Sequence, residues 1–257
     1  MNLPPHILGR ITARRDIASR YWTIRIGCDP RPVFRPGQFA TLAVRDRDKM
    51  VERPYSIVSS PREAELEFFL QLVPEGALTR RLHALHPGDP IHLRKVTKGT
   101  FRFDDTSGRR KHLMVATSTG VAPFVSMLRT FRREPLADHQ VFLLHGASDP
   151  SQLGYDEELG GLAREVEWFH YVPVISRPRE HPGWAGERGR LPGLLSAYAA
   201  RFGCEPGDTT AYLCGNPHMI KAAKNAVSAL GLPPDAVKEE RFWVEEKVTT
   251  GAPGQTA

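Results

Sequence analysis

Residues 112–133 read HLMVATSTGVAPFVSMLRTFRR, and this stretch predicts one complete strand–loop–helix unit. The run HLMVAT is typical of a buried strand, and a helical pattern follows from Val121 with Pro123 in its first turn. The small residues from Thr117 to Gly120 allow a ligand to approach the backbone, and the helix N-terminus offers free N–H groups to an anion. The loop lacks the GxGxxG fingerprint of Rossmann proteins. A capped helix without any ligand would show the same pattern.

Short apolar strands and helices keep alternating after this unit. The predicted strands are 140–147, 168–176 and 210–215, and the predicted helices are 155–165, 193–202 and 218–230. Such alternation is typical of a parallel sheet that helices cover on both faces.

The chain has a different character before residue 105. Strand-like runs at 21–27, 38–44, 55–59, 66–73 and 89–96 are separated by turn residues. Many short strands at this spacing predict an antiparallel β-barrel or sandwich. We expect two domains: an antiparallel β-barrel over 1–105 and an α/β parallel-sheet domain over 106–246. The polar tail 247–257 is expected to be disordered.

Composition narrows the function classes. The 257 residues are 40% hydrophobic and 25% charged, as in soluble globular proteins. The N-terminus has no secretory pattern, and no stretch reaches the about 18 apolar residues of a membrane span, which predicts a cytoplasmic protein away from membranes. Three widely spaced cysteines, Cys28, Cys204 and Cys214, argue against a disulfide framework, a metal site or an iron–sulfur cluster.

The net charge of +6 fits a nucleic acid, an acidic protein or an acidic substrate as partner. The basic residues are spread along the chain, with one short cluster at 109–111. This spread disfavours a nucleic-acid partner.

A second strand-to-helix turn, LCGNP, occupies 213–217, with Asn216 as the predicted cap and Pro217 as the first helical residue. In open α/β sheets, ligands bind beyond the carboxyl ends of strands. This turn and the Thr117–Gly120 loop both lie at such ends, so we expect them to line one crevice. The alternative is that Cys214 is a buried structural cysteine.

Residues 53–60, RPYSIVSS, resemble the flavin-binding signature Arg-x-Tyr-Ser-x-x-Ser of the ferredoxin–NADP reductase superfamily. Four further stretches resemble motifs of that family in the family's order. They are VPEGALTRRL at 73–82, ATSTGVAPF at 116–124, VISRP at 174–178 with RGRL at 188–191, and LCGNPHMI at 213–220. The resemblance covers about residues 5–246. Because the chain lacks long insertions, it is similar to the bacterial ferredoxin/flavodoxin–NADP reductases in particular.

The resemblance implies FAD in the first domain. Arg53 would bind the pyrophosphate, Tyr55 would stack on the isoalloxazine, and Ser56 would hydrogen-bond flavin N5. Ser56 points away from the strand face that Arg53 and Tyr55 share unless the strand bends, so a backbone N–H of the same strand is the alternative partner of N5. The other implied FAD contacts are Ser59, Leu72, Val73, Gly76, Ala77, Leu78, Thr79 and Thr117, with a helix over 78–85 whose N-terminus faces the pyrophosphate.

The resemblance also implies NADP(H) in the second domain. Thr117, Thr119 and Gly120 would bind the nucleotide, and Ser176, Arg177 and Arg190 the 2′-phosphate. Cys214, Gly215 and Met219 would also bind NADP(H), with Cys214 beside the nicotinamide, where it orients the ring rather than attacking it. Asp149 is a contrary sign, because a carboxylate near Ser148, where some relatives carry Arg, suits the free ribose hydroxyl of NADH.

The C-terminal aromatics have two possible alignments. In one, Phe242 faces the flavin and Trp243 packs nearer the adenine, and a shift by one residue swaps these roles. In the first alignment the implied catalytic residues are Ser56, Cys214 and Phe242, without a metal.

The implied activity is electron transfer between NADPH and a one-electron carrier by a monomer. The +6 charge suits an acidic ferredoxin or flavodoxin. Three alternatives stay open at this point: a reductase component that serves an oxygenase, an electron-transfer subunit of a larger complex, and a basic nucleic-acid-binding protein. The second of these is disfavoured because no terminal cysteine cluster is present.

Overall fold

The structure is a computed structural model that describes residues 6–242. The first half contains β1 (His6–Ala18), β2 (Tyr21–Cys28), β3 (Phe39–Asp46), β4 (Lys49–Ser56), β5 (Leu66–Gln71), α1 (Thr79–His83) and β6 (Pro90–Arg94). The second half contains β7 (Lys111–Thr117), α2 (Ala122–Arg133), β8 (Gln140–Ala147), α3 (Asp156–Glu165), β9 (Phe169–Ile175), β10 (Glu187–Arg188), α4 (Leu191–Arg201), β11 (Thr209–Gly215), α5 (Pro217–Ala229) and β12 (Val237–Arg241). Among the described residues, no helix is both long enough and apolar enough to cross a membrane.

The first half is one antiparallel sheet in the strand order β4-β3-β6-β1-β2-β5. An isolated bridge joins Ile57, just after β4, to Phe68 of β5. Next to this bridge, the Val58 N–H donates to the Glu67 carbonyl over 2.8 Å. The predicted antiparallel architecture is confirmed, and its two edges meet at this bridge.

Two strands of this sheet differ from the sequence expectation. The strand predicted over 55–59 ends at Ser56 and begins six residues earlier, at Lys49. Its proline, Pro54, is tolerated because β4 is an edge strand of the sheet order. The thirteen-residue β1 was not predicted, because its buried alternation at Ile7, Gly9 and Ile11 gives way to an arginine-rich stretch.

The second half is a parallel sheet in the order β10-β9-β8-β7-β11-β12, which confirms the predicted α/β architecture. Successive residues of β7 enter different cores. Met114 belongs to the cluster that includes α2 and α3, whereas Leu113 and Val115 belong to the cluster that includes α4 and α5. Both faces of the sheet are therefore covered, as the continuous apolar strands predict. The short β10 and the charged β12 carry no apolar pattern and were not predicted.

The two halves share an apolar core. Tyr21, Phe69 and Phe101 from the first half lie in the same buried cluster as Phe124 of α2 and Tyr155 beside α3. The rings of Phe101 and Phe124 are 5.6 Å apart, and so are those of Phe69 and Tyr155. The domain limits at 105 and 246 stay a prediction.

Candidate active site between the two halves

The loops after β7 and β11 lie directly against each other. A Cβ added to Gly120 would lie 2.5 Å from the Cys214 carbonyl oxygen. Gly215 has a φ of +125°, and its own Cβ would lie 2.3 Å from Thr117 Oγ1. Thr117 Oγ1 in turn accepts the Asn216 N–H over 3.0 Å. Glycine is needed at both positions for this approach, and the two predicted crevice loops are in contact.

The loop after β11 ends in the predicted helix cap. The Asn216 side chain accepts the N–H groups of His218 and Met219, and Pro217 is the first residue of α5. Met219 is half-buried and packs on the cluster beneath α4 and α5.

The loop after β7 holds a backbone that fits a phosphate-bearing ligand. Ser118 has a φ of +49°, and its buried hydroxyl has no hydrogen-bond partner within residues 6–242. Its neighbours Thr119 and Gly120 are also buried. The unpartnered Ser118 hydroxyl is a hydrogen-bond donor of the kind that binds a nucleotide phosphate.

His145 of β8 supports this loop from below. Its Nε2 lies 3.1 Å from the Ser118 carbonyl, and its Nδ1 lies 3.2 Å from the Tyr171 hydroxyl. The Tyr171 hydroxyl donates its single hydrogen to Asp156 Oδ1 over 3.0 Å. Burial lowers the pKa of His145 to about 4, so the ring is neutral at pH 7 and its Nε2–H donates to Ser118. His145 gave no signal in the sequence, because a histidine in an apolar strand looks like any buried core residue.

A cross-domain junction joins β4 to β11 and β12. Ser56 Oγ donates to Glu240 Oε1 over 2.8 Å, and Glu240 lies beside Cys214 in the parallel register of the two strands. Burial raises the pKa of Glu240. Burial, together with the nearby Glu240, raises the pKa of Cys214, so the thiol stays protonated. A protonated, fully buried thiol suits the predicted orienting role better than a nucleophilic one.

Glu240 is the residue of this junction that the sequence did not reveal. It lies in the stretch KEER, which resembles a solvated charge run. Its position became evident only from the pairing of β12 with β11.

The other residues of the flavin signature lie on the edge strand β4. Arg53 is exposed, and its Nη1 donates to the Glu52 carbonyl over 2.9 Å. Tyr55 packs against the core of the first sheet, and burial raises its pKa above the ordinary value. Ser59 is fully buried, where its hydroxyl accepts the Glu67 N–H over 3.1 Å.

The second predicted flavin segment forms a tight turn. Helix α1 has five residues rather than the eight expected, because Ala84 and Leu85 close i→i+3 bonds to Arg81 and Leu82. The Thr79 hydroxyl accepts the Val73 N–H over 3.2 Å and lies 3.1 Å from the Val73 carbonyl. The remaining residues differ in exposure: Val73 and Ala77 are exposed, Leu72 and Gly76 are half-buried, and Leu78 is buried.

The residues predicted to bind the 2′-phosphate lie at the carboxyl edge of the parallel sheet. Ser176, Arg177 and Arg190 are exposed there. The Ser176 N–H donates to the Ala147 carbonyl, and the Gly189 N–H donates to the Ile175 carbonyl, both over 2.9 Å. The strand β10 therefore returns the 178–189 loop to β9, which the prediction for Arg190 requires.

The end of the chain is described as far as Phe242. Its N–H donates to the Gly215 carbonyl over 3.0 Å, and its half-buried side chain packs against the core that the two halves share. Trp243 lies outside the described residues. Flavin contacts of Phe242 and Trp243 stay predictions, as do the other cofactor contacts.

An antiparallel sheet, a parallel α/β sheet and a polar junction between them define the class of two-domain oxidoreductases that bind a flavin and a nicotinamide nucleotide. Residues 11–103 match the oxidoreductase FAD-binding domain, and residues 114–225 match the oxidoreductase NAD-binding domain.

Comparison with individual proteins narrows this class. The chain is 30% identical over 211 residues to the ferredoxin–NADP reductase of Pseudomonas aeruginosa, covering 77% of this chain and 80% of the relative. It is 29% identical over 221 residues to the flavodoxin/ferredoxin–NADP reductase of Escherichia coli, covering 84% and 87%. A ferredoxin NADP+ reductase from Neisseria gonorrhoeae, solved with bound FAD and NADP, has the same fold, with a TM-score of 0.82, 24% identity and coverage of 93% and 99%. The chain belongs to the ferredoxin–NADP reductase family.

Proposed function

We propose that this chain is an FAD-dependent oxidoreductase that transfers electrons between NADPH and a ferredoxin or flavodoxin. The observation that carries the proposal is the hydrogen bond from Ser56 to Glu240 beside Cys214. It brings the strand with the flavin signature to the end of a nucleotide-binding strand. The activities named for the relatives from Pseudomonas aeruginosa and Escherichia coli support the same assignment.

Bound FAD would supply the chemistry, because it accepts a hydride from the nicotinamide and releases electrons singly. The chain's residues bind and orient the two nucleotides. Arg53 offers a fork of donors suited to a pyrophosphate, and Tyr55 offers an aromatic face fixed by the core behind it. Ser118 offers the nicotinamide nucleotide a hydroxyl that has no partner among the described residues.

Cys214 and Glu240 have different roles at the junction: Cys214 orients a planar ring, and Glu240 determines which hydrogen bond Ser56 forms. Cys214 is small and protonated, so it leaves room for a planar ring and fixes the angle of that ring without competing as a nucleophile. Ser56 directs its hydroxyl hydrogen to Glu240 while that carboxylate is ionised. When Glu240 binds a proton, the carboxyl can donate to Ser56 instead, which frees the hydroxyl hydrogen for a ligand.

The positive charge of the chain favours an acidic carrier. The net charge is +6, and electrostatic complementarity raises the rate of encounter. We place this chain in the cytoplasm as a monomer that binds neither nucleic acid nor membrane.

The decisive experiment is a spectrum of the purified protein, followed by release of its cofactor. We expect flavin absorbance bands, and FAD set free on denaturation. Replacement Arg53→Ala should weaken retention of FAD, because one charge-assisted hydrogen bond contributes about 1.5–3 kcal/mol. Arg47→Ala, at an exposed turn residue, is the matched control. Release of FMN, covalent attachment, or a colourless protein that does not take up FAD would contradict the proposal.

A further inference from the structure

Three adjacent strands are each followed, two residues past the end of the strand, by a charged residue at the carboxyl edge of the parallel sheet. Ala147, Ile175 and Arg188, the last residues of β8, β9 and β10, are paired in one register. Two residues beyond each of them lie Asp149, Arg177 and Arg190. These three residues form a row that contains the carboxylate of Asp149 and the guanidinium groups of Arg177 and Arg190.

The Asp149 carboxylate is engaged by the protein through both of its oxygens. Oδ1 accepts the Ser151 N–H over 2.7 Å and the Ser151 hydroxyl over 2.6 Å. Oδ2 lies 2.8 Å from His181 Nε2. The Ser151 hydroxyl, and to a smaller extent His181, hold the pKa of Asp149 below its usual range, so the group is ionised at pH 7.

The same turn that positions Arg177 also positions His181. The Glu180 N–H donates to the Arg177 carbonyl over 3.2 Å, and the His181 N–H donates to the Pro178 carbonyl over 3.1 Å. The contact from His181 to Asp149 therefore ties the loop after β9 to the loop after β8.

A carboxylate in this row without a partner would disfavour binding of NADPH, the proposed nucleotide. It would repel a 2′-phosphate and would accept a hydrogen bond from an unphosphorylated ribose. We propose that His181 is a specificity-determining residue that occupies Asp149, so that the row of Arg177 and Arg190 selects the phosphorylated nucleotide. This inference rests on the proposed function.

The size of the effect follows from the exposure of the pair. The Asp149 and His181 side chains are 31% and 29% exposed, so solvent screens their interaction in part. We expect His181→Ala to lower the preference for a 2′-phosphate by up to about fivefold, the upper limit for a solvent-screened contact between two side chains.

The test uses FAD-loaded protein and two probes that differ only in the 2′-phosphate. Calorimetry gives the dissociation constant of 5′-AMP divided by that of adenosine 2′,5′-bisphosphate, and kcat/KM for NADPH divided by kcat/KM for NADH gives a second ratio. His181→Ala should lower both ratios, and Asp149→Asn in the same chain should restore them. His181→Gln, whose amide can donate to Asp149, should stay near the wild type. His86→Ala, at an exposed histidine of the first half, is the matched control.

Two outcomes would overturn the inference. Unchanged ratios in His181→Ala would show that the histidine does not affect selection. An equal fall with and without the Asp149 charge would show that His181 does not act through Asp149. A wild-type protein that binds FAD but neither probe nor either nicotinamide nucleotide would instead contradict the proposed function, and this inference with it.

Discussion

Cys214 combines complete burial with a position at the junction of the two halves. We expect Cys214→Ala to retain FAD and to slow reduction of the flavin by NADPH about 10- to 100-fold, because a slightly misplaced ring loses near-attack geometry. Stopped-flow absorbance measures this rate. Cys204→Ala, at a half-buried cysteine of the same half, should react like the wild type. An unchanged rate in Cys214→Ala would leave Cys214 as a structural residue.

The limits of sequence reasoning at the residue scale are visible around the same thiol. The glycines at 120 and 215 and the cap at Asn216 could be recognised, because each obeys a local backbone rule. Glu240 and His145 could not be recognised, because their roles depend on which strands become neighbours.

Strand β7 contains a buried histidine whose protonation should oppose folding. His112 Nδ1 lies 3.1 Å from the Tyr212 hydroxyl, and its Nε2 lies 2.8 Å from His139 Nδ1. Burial, and then the neighbouring His139, lower the pKa of His112 to about 3. The unfolded chain therefore takes up this proton first as the pH falls.

The resulting pH dependence has a definite sign. The stability is complete above about pH 6.5 and is lost progressively towards pH 3, at up to about 1.4 kcal/mol per pH unit for each such histidine. Urea unfolding at pH 7 and pH 5 measures the difference. His112→Gln should reduce the slope by about one proton, and His139→Gln, which removes only the smaller cause of the lowered His112 pKa, should reduce it less. An equal slope in His112→Gln and the wild type would contradict this origin.

Whole elements were predictable where one periodicity dominates. The strands β7, β8 and β11 have continuous apolar runs and were predicted nearly to their ends. The strands β4 and β12 were obscured, because edge positions accept charges and Pro54, which are typical of loops. An edge strand satisfies one row of backbone groups with solvent, so its sequence is less constrained.

At the scale of the whole molecule, a network of charges fixes one half against the other. Glu67 of β5 is buried and accepts the Tyr155 hydroxyl over 2.7 Å. Arg129 of α2 contacts the same carboxylate over 2.9 Å and Glu158 of α3 over 2.7 Å. The network therefore connects three elements from both halves.

Removal of the central cation should be costly. Arg129→Gln leaves the buried Glu67 carboxylate without its main partner, and we expect a loss of about 3–5 kcal/mol in the free energy of unfolding. Arg132 lies in the same helix as Arg129, and Arg132→Gln, which removes an exposed ion pair with Glu165 of α3, should cost less than about 1 kcal/mol. Urea titrations of both variants test the comparison, and equal losses would contradict a central role for Arg129.

Electron transfer to the proposed acidic carrier should depend on the salt concentration. Between about 0.05 and 0.5 M salt, electron transfer to an acidic ferredoxin should slow markedly, since exposed charges are screened beyond about 8–10 Å at moderate ionic strength. Reduction of a small neutral acceptor by the same protein should change little. Steady-state rates with both acceptors provide the measurement, and equal salt dependence would argue against charge-steered docking.

The aromatic cluster shared by the two halves has a consequence for cutting the chain. Phe101 lies within ring contact of Phe124 and Tyr212, although a polar stretch at 104–111 separates it from the second half. A cut in that stretch would leave each fragment with an apolar surface that water covers unfavourably. Two fragments produced from separate genes should therefore reassemble on mixing. For the same reason, a chimera in which one half is replaced by that of a homologue would have to keep these aromatic rings.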